Sequence, residues 1–228
     1  MFNSLVSGMP VYPASEYISD KRKAVCITGH REKSILPYNN DSAYADVTAA
    51  AVRFMLCRYI DMAVESGYTT FFSGLATGTD LWAADYIVRK KQGSDIKLIG
   101  VMPYLRHAEH FKRDFLEMLD NAERDADMLL TVNTDPDIVY SKYGTGSGLY
   151  RDRNYFMVDN SSAVIAFRNA ENIASGTAQT MNYAYRKGRI IHSFGLNDVY
   201  AIIDKAGNDI SSIARAISFL PNVFNNSY

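Results

Sequence analysis

Two patterns of apolar residues alternate along most of this chain. Short apolar runs rich in β-branched and aromatic residues, such as residues 24–27, 69–72 and 163–167, are typical of buried strands. Between these runs, apolar residues recur at the spacing of an amphipathic helix. The pattern is clearest in the stretch 42–66, where the apolar positions are Val47, Ala50, Phe54, Cys57, Ile60 and Val64. A second set is Phe111, Phe115, Met118 and Ala122, which we expect in the core.

The two patterns predict strands and helices in alternation. The expected strands cover residues 24–28, 69–73, 96–102, 128–132, 163–167 and 189–194. The expected helices cover residues 42–66, 79–92, 107–125, 149–159 and 176–187, with a short helix at 211–218. Strands separated by helices predict an α/β fold with a mainly parallel sheet and right-handed crossovers.

The pattern also suggests where the domain begins. Residues 1–22 contain a glycine, two prolines and several serines without clear periodicity, so we expect a loosely held N-terminal arm. No linker or internal repeat divides residues 23–228, which we expect to form a single domain.

Composition and charge narrow the function classes. The 228 residues are 47% hydrophobic and 21% charged, with a formal net charge of -1, which gives no electrostatic reason to expect nucleic-acid or anionic-membrane partners. No apolar stretch approaches the roughly 20 residues of a membrane span, and no signal segment is evident, so a cytoplasmic protein without a membrane partner is expected. Cys26 and Cys57 fall within predicted elements and are expected to be small core residues.

Three predicted strands end in small, polar turns that enter helices. Residues 73–80 read Ser-Gly-Leu-Ala-Thr-Gly-Thr-Asp, residues 28–31 read Thr-Gly-His-Arg, and residues 175–180 read Ser-Gly-Thr-Ala-Gln-Thr. Glycines let the backbone approach an anion, and the free amides of a helix N-terminus attract it. Such turns also occur as plain connections. Because ligands bind at the carboxyl ends of strands in open α/β sheets, we expect one shared pocket.

The candidate ligand-binding residues come from these turns and from a later loop. They are Gly29, His30, Arg31, Ser73, Gly74, Ala76, Gly78, Thr79, Asp80, Arg153, Asn154, Ser175, Gly176, Thr177 and Thr180. The backbone amides would hold phosphate, and the two arginines would add charge. For His30 a turn-capping role is an equal alternative, and the carboxylate at 80 could cap the helix, bind a ribose or act in acid–base chemistry.

The loop candidate is the glycine-rich segment 143–154, which enters a predicted helix. A flexible loop of this kind could close over a ligand, with Arg153 and Asn154 reaching the pocket while Arg151 faces solvent. The alternative is a surface loop whose arginines pair with nearby aspartates. His107 and His110 lack a clear third ligand, so no metal site is expected.

Together these motifs resemble the SLOG superfamily, which includes the DNA-processing protein A (Smf/DprA) and LOG phosphoribohydrolase branches, and especially its YpsA-like members. The matching elements lie within residues 24–195: the three turns, Pro103-Tyr104 after a strand, and Arg153-Asn154 followed by Met157-Val158-Asp159. The resemblance implies a Rossmann-like three-layer fold with a mainly parallel central sheet flanked by helices. It also implies a nucleotide or nucleotide-derived ligand, such as one related to ADP-ribose or NAD, and a sensor or effector role with no required cofactor.

The sequence departs from the catalytic branch of that superfamily. LOG enzymes carry Pro-Gly-Gly-x-Gly-Thr followed by a glutamate, whereas residues 174–180 read Ala-Ser-Gly-Thr-Ala-Gln-Thr and contain no acid. Ser175 also replaces the first glycine of the Gly-Gly-Thr turn of YpsA-like relatives, which would narrow a phosphate cradle. Nucleotide binding without an assigned reaction is therefore the leading hypothesis.

Two alternatives remain open at this stage. One is an N-glycosidic hydrolase, in which Asp80 would be the catalytic carboxylate. The other is binding of single-stranded DNA, with the tyrosines at 140, 143 and 150 as stacking groups, against which the near-neutral charge argues. Superfamily relatives frequently self-associate, so a homo-oligomer is compatible with the sequence, which locates no interface.

Overall fold

An eight-stranded sheet forms the centre of the computed structural model, which describes residues 1–35, 42–138, 145–169 and 175–226. In chain order the strands are β1 (Phe2–Asn3), β2 (Pro10–Pro13), β3 (Ala24–Gly29), β4 (Thr70–Ser73), β5 (Lys97–Met102), β6 (Met128–Thr131), β7 (Ala163–Arg168) and β8 (Ile190–Gly195). Their order across the sheet is β1-β2-β6-β5-β4-β3-β7-β8. Only β1 and β2 pair antiparallel, so the predicted, mainly parallel sheet is confirmed.

Helices cover both faces of this sheet. They are α1 (Ser42–Glu65), α2 (Thr79–Lys90), α3 (Arg113–Asp125), α4 (Thr145–Asp159), α5 (Gly176–Arg186), α6 (Leu196–Ala206) and α7 (Ile210–Ser218). Val25 and Ile27 of β3 point into a core shared with α1, α2, α3, α6 and α7. Ala24 and Cys26 point into a second core with α4 and α5, because successive strand residues face opposite sides. The predicted three-layer fold is therefore confirmed.

The N-terminal residues differ from the expectation. Strand β2 pairs in parallel with β6, with Val11 opposite Leu129, and β1 pairs with β2 at the edge of the sheet. The prediction of a loosely held arm is therefore wrong for these strands. A four-residue strand that starts and ends with proline is too short to show an alternating pattern.

Helix boundaries differ in two places, and one helix was missed. Helix α3 begins at Arg113 rather than near 107, because residues 105–110 form turns, and α4 begins at Thr145 rather than near 149. Helix α6 was not predicted, and residues 143 and 144 of the expected lid lie outside the described residues. Over the described ranges, no helix is long and apolar enough to cross a membrane.

Candidate functional site

A cavity of about 1280 Å³ opens at the carboxyl ends of the central strands. Its walls are the segments that follow β3, β4, β5 and β7, together with side chains of α4 and α5. Small-molecule sites usually measure about 300–1000 Å³, so this cavity is large enough for an extended ligand. The three glycine-containing turns all contribute to it, as the position of ligand sites in open α/β sheets predicts.

The cavity wall is strongly basic although the chain carries a formal charge of -1. Its charged residues include two acids, Glu32 and Asp80, and six bases. The bases are Arg31, Lys33, Lys112, Arg151, Arg153 and Arg186. A concave surface with this excess of positive charge concentrates anions.

Arg153 and Asp80 form a buried ion pair in the cavity wall. Arg153 Nη1 lies 3.4 Å from Asp80 Oδ2, and the two side chains are 4% and 8% exposed. Asp80 also accepts a hydrogen bond from the Ala76 amide. Burial raises the pKa of Asp80 even though Arg153 and that amide oppose the rise, and burial lowers the pKa of Arg153. Arg153 nevertheless stays cationic, because a guanidinium is not deprotonated in proteins.

Three glycines of the first two turns allow close packing around the start of α2. A Cβ at Gly74 would lie 1.4 Å from Arg153 Nη1, so only glycine leaves room for the guanidinium. Gly78 has φ +86°, and a Cβ there would lie 2.5 Å from the backbone nitrogen of Glu32. A Cβ at Gly29 would lie 2.5 Å from the side chain of Thr79. Close packing between the first two turns therefore accounts for Gly29 and Gly78, and the position of the Arg153 guanidinium accounts for Gly74.

Several amides of residues 73–80 are already paired. The Leu75 amide donates to Ser73 Oγ at 3.2 Å, the Thr79 amide donates to the His30 carbonyl at 3.3 Å, and the Ala76 amide donates to the Asp80 carboxylate. Ser73 Oγ donates in turn to the Asp80 carbonyl at 2.9 Å. This turn therefore offers a ligand fewer amides than its glycine content suggests.

The N-terminus of α5 is more open. Ser175 caps it by accepting a hydrogen bond from the Ala178 amide at 3.1 Å. The amides of Gly176 and Thr177 have no acceptor within the part of the chain that the structure describes, and a Cβ at Gly176 would meet no atom within 4 Å. Both residues line the cavity, so their amides are available to an anion there.

Asn154 connects α4 to α5. Its Nδ2 donates to Thr180 Oγ1 at 2.9 Å, and that hydroxyl donates to the Gly176 carbonyl at 2.7 Å. The loop was expected to bring Arg153 and Asn154 to the pocket, and both line the cavity. Arg151 is exposed, as expected, and pairs with Asp152, although it also lies on the cavity wall.

The predicted site residues therefore fall into two groups. Those that line the cavity are Gly29, His30, Arg31, Ala76, Asp80, Arg153, Asn154, Ser175, Gly176 and Thr177. Those that do not line it are Ser73, Gly74, Gly78, Thr79 and Thr180. The second group supports the turns through the packing and hydrogen bonds described above.

Two aromatic groups lie beside the basic residues. His30 is buried with Nε2 unpaired within the described residues, and burial lowers its pKa. The Tyr150 ring lies 5.1 Å from the Arg31 guanidinium and 5.6 Å from that of Arg153, which are cation–π distances. Tyr150 also contacts Tyr104 edge to face at 6.1 Å.

The sequence interpretation missed the contribution of the segment after β5. Its cavity-lining members are Tyr104, His107, His110, Phe111, Lys112 and Phe115. Burial, with Arg153 and Arg31 nearby, lowers the pKa of His107 to about 3. Phe111 and Phe115 were expected in the core; they pack against it but remain half-buried and face the cavity. The available signal was Pro103-Tyr104 after a strand. No metal-binding cluster of acidic, histidine or cysteine side chains occurs in the described ranges.

These features define a class of protein: an open α/β fold with a basic ligand cavity at the carboxyl ends of its central strands. Residues 25–195 match the family model YpsA, described as the YspA SLOG family. The chain therefore belongs to the YpsA family of SLOG proteins, which confirms the resemblance seen in its motifs.

The chain is also similar to two individual proteins. The chain is 25% identical to a UPF0398 protein from Macrococcus caseolyticus (strain JCSC5402) over 153 residues, which are 67% of this chain and 78% of the relative. It also aligns with the crystal structure of DNA processing protein A from Streptococcus pneumoniae, with a TM-score of 0.48 and 17% identity. That alignment covers 88% of this chain, which spans 63% of the length of the other.

Proposed function

We propose that this protein binds a nucleotide or nucleotide derivative in the basic cavity and acts as a sensor or effector component. One observation carries the proposal: a cavity with six basic and two acidic side chains adjoins the N-terminus of α5, where the Gly176 and Thr177 amides are unpaired within the described residues. Phosphate groups combine negative charge with several acceptor oxygens, which is what such a surface can satisfy.

The phosphate is expected at the start of α5. The Gly176 and Thr177 amides carry the partial positive charge of the helix, and Gly176 leaves the approach open. Strand β7, which precedes this helix, is paired with β3, at whose end Arg31 lies. Arg31 is exposed at the cavity wall, so its guanidinium can move to meet a phosphate.

Isothermal titration calorimetry tests the proposal with AMP, GMP, CMP, UMP, ADP-ribose and NAD. We expect at least one of these to bind, and Arg31→Ala to weaken that binding on the order of tenfold, because a charge-assisted hydrogen bond contributes about 1.5–3 kcal/mol. The control is Arg113→Ala, which removes an exposed arginine of α3 that does not line the cavity. If the folded protein binds none of the six ligands, the proposal fails.

A second candidate function follows from Asp80. Its carboxyl lines the cavity and burial raises its pKa, and a carboxyl with a raised pKa in a cleft is typical of groups that exchange a proton with a substrate. The reaction would be hydrolysis of an N-glycosidic bond, in which water adds to the sugar carbon and the base leaves with a proton. Chromatography for released base tests it. No released base from any nucleotide of the panel, or undiminished release by Asp80→Asn, would exclude this function.

A further inference from the structure

We propose that the end of the cavity beside β5 is a second subsite, which binds a planar aromatic group such as a nucleobase. The subsite consists of Tyr104, His107, Phe111 and Phe115, and is called the aromatic subsite below. This inference rests on the proposed function, since it assigns the two ends of the same ligand to the two ends of the cavity.

The aromatic subsite lies far from the phosphate end. Along the sheet the order is β7, β3, β4 and β5, so three strand spacings separate the start of α5 from the segment after β5. Adjacent strands lie about 4.8 Å apart, which gives a separation of roughly 14 Å. A lone phosphate at the start of α5 would leave the aromatic subsite unfilled, whereas an extended ligand could reach both.

The side chains of the subsite suit a flat, weakly polar group. His107 and Phe111 meet edge to face, with centroids 5.8 Å apart and planes at 85°. Tyr104 and Tyr150 have the same arrangement at 82°. Tyr104 and His107 are buried in the cavity wall, whereas Phe111 and Phe115 are half-buried there, so these two rings are the ones whose faces a ligand can reach. Such ring faces are what bases stack on.

His107 adds a polar group without adding charge. It is buried among the same rings, and the low pKa given above keeps its imidazole neutral at physiological pH. A neutral imidazole has one donor and one acceptor nitrogen, which can pair with the polar edge of a heterocycle. Arg31 and Arg153 lie beside Tyr150, which contacts Tyr104 of the subsite, so they can neutralise the anionic part of a ligand whose base occupies it.

The test compares ligands with and without a base. Calorimetry would measure the six nucleotides of the panel against ribose 5-phosphate and inorganic pyrophosphate, with wild type, Phe111→Ala and Phe111→Leu. We expect the best nucleotide to bind at least tenfold more tightly than either base-free probe. Phe111→Ala should remove most of this difference and leave the base-free affinities within about twofold, because loss of one stacking ring weakens base binding on the order of tenfold.

Phe111→Leu keeps apolar volume but lacks a ring face, so it should show the same selective loss even if the alanine variant folds poorly. The matched control is Phe219→Ala, since Phe219 is 80% exposed after α7 and lies outside the cavity. Two outcomes would contradict the aromatic subsite without contradicting anion binding. In one, the base-free probes bind as tightly as every nucleotide; in the other, the Phe111 variants weaken the binding of nucleotides and of base-free probes equally. If none of the probes binds, the proposed function fails as well.

Discussion

The Arg153 guanidinium lies 3.4 Å from the Asp80 carboxylate, and it occupies space that exists only because residue 74 has no side chain. The pair joins α4 to the first turn of α2 through two residues that are 73 positions apart in the chain. It therefore fixes the position of α4 over the glycine turn that closes one side of the cavity. The turn in this family member holds a protein cation at the place where the sequence suggested a phosphate.

Loss of Arg153 should destabilise the fold. Arg153→Met leaves the Asp80 carboxyl buried without its charge partner, a change that typically costs about 3–5 kcal/mol. We expect the Tm to fall on the order of 10 °C for a chain of this length. Urea denaturation monitored by circular dichroism would give the change in unfolding free energy.

Two further variants test the interpretation of that loss. Arg153→Met combined with Asp80→Asn leaves no buried charge and should recover part of the stability. Arg151→Met removes an exposed arginine of the same helix, which pairs with Asp152, and should change the unfolding free energy by less than about 0.5 kcal/mol. Equal losses of unfolding free energy for the two single arginine variants would show that the buried ion pair stabilises the fold no more than the exposed one does.

Two glycine substitutions should separate the supporting turn from the ligand-binding turn. In Gly74→Ala the new methyl would displace the flexible Arg153 side chain, so we expect a loss of about 1–3 kcal/mol of stability. In Gly176→Ala the methyl meets no atom within 4 Å, so stability should stay the same or rise by up to about 1 kcal/mol.

Nucleotide affinity should also distinguish Gly74 from Gly176. The Gly176→Ala methyl stands beside the unpaired amides of α5, so it should weaken binding of the nucleotide found by calorimetry in a protein of undiminished stability. Denaturation and calorimetry on both variants provide the check. Unchanged affinity in Gly176→Ala would move the phosphate away from this helix.

The sheet was predictable because its signals are local. Runs such as residues 163–167 and the helical spacing within residues 42–66 report burial directly, and the alternation of strands and helices then selects a parallel sheet. Strand β2 was missed because four residues between prolines carry too little periodicity. The start of α3 was misplaced because its N-cap residue is Lys112, whose side chain makes no capping hydrogen bond. The sequence therefore carries no N-cap signal that marks Arg113 as the first helical residue.

The cavity was predictable in location but not in detail. Glycine turns at strand ends indicated the correct edge of the sheet. However, a glycine that admits a ligand looks the same in sequence as Gly74, which admits an arginine from elsewhere in the chain. The Phe111 ring was assigned to the core because an apolar residue on a helical stripe does not reveal that one side of it faces a cavity.

The N-terminal strands should depend on one buried carboxylate. Ser4 Oγ and the Ser7 amide both donate to Glu123 Oε2 of α3, and burial raises the pKa of Glu123 against the effect of these donors. Ser4→Ala removes one donor from a buried acceptor and should cost about 1–3 kcal/mol. Hydrogen exchange should show faster opening of β1 and β2. Ser218→Ala, at an exposed site on α7, is the control, and equal exchange rates in the two variants would contradict this role.

Stability should fall in mild acid because His107 is buried in its neutral form. Its folded pKa of about 3 lies below the value near 6.5 expected in the unfolded chain, so the unfolded state takes up the proton first as pH falls. The contribution of neutral His107 to the unfolding free energy is fully present above about pH 6.5. It is lost progressively as the pH falls from about 6.5 toward about 3, by up to about 1.4 kcal/mol per pH unit. Burial also lowers the pKa of His30 and His192, so these groups likewise reduce the stability as the pH falls. The raised pKa of Asp80 and of Glu123 has the opposite effect on the stability.

A glutamine variant isolates the part due to His107, because glutamine cannot be protonated in this range. Between pH 7 and pH 5 the unfolding free energy of His107→Gln should fall by about 2 kcal/mol less than that of wild type, which is the loss expected over 1.5 pH units below 6.5. His110→Gln, which changes an exposed imidazole of the same segment, is the control. Parallel curves for wild type and His107→Gln would mean that folding leaves the pKa of His107 unchanged, which would contradict its burial as a neutral hydrogen-bonding group in the aromatic subsite.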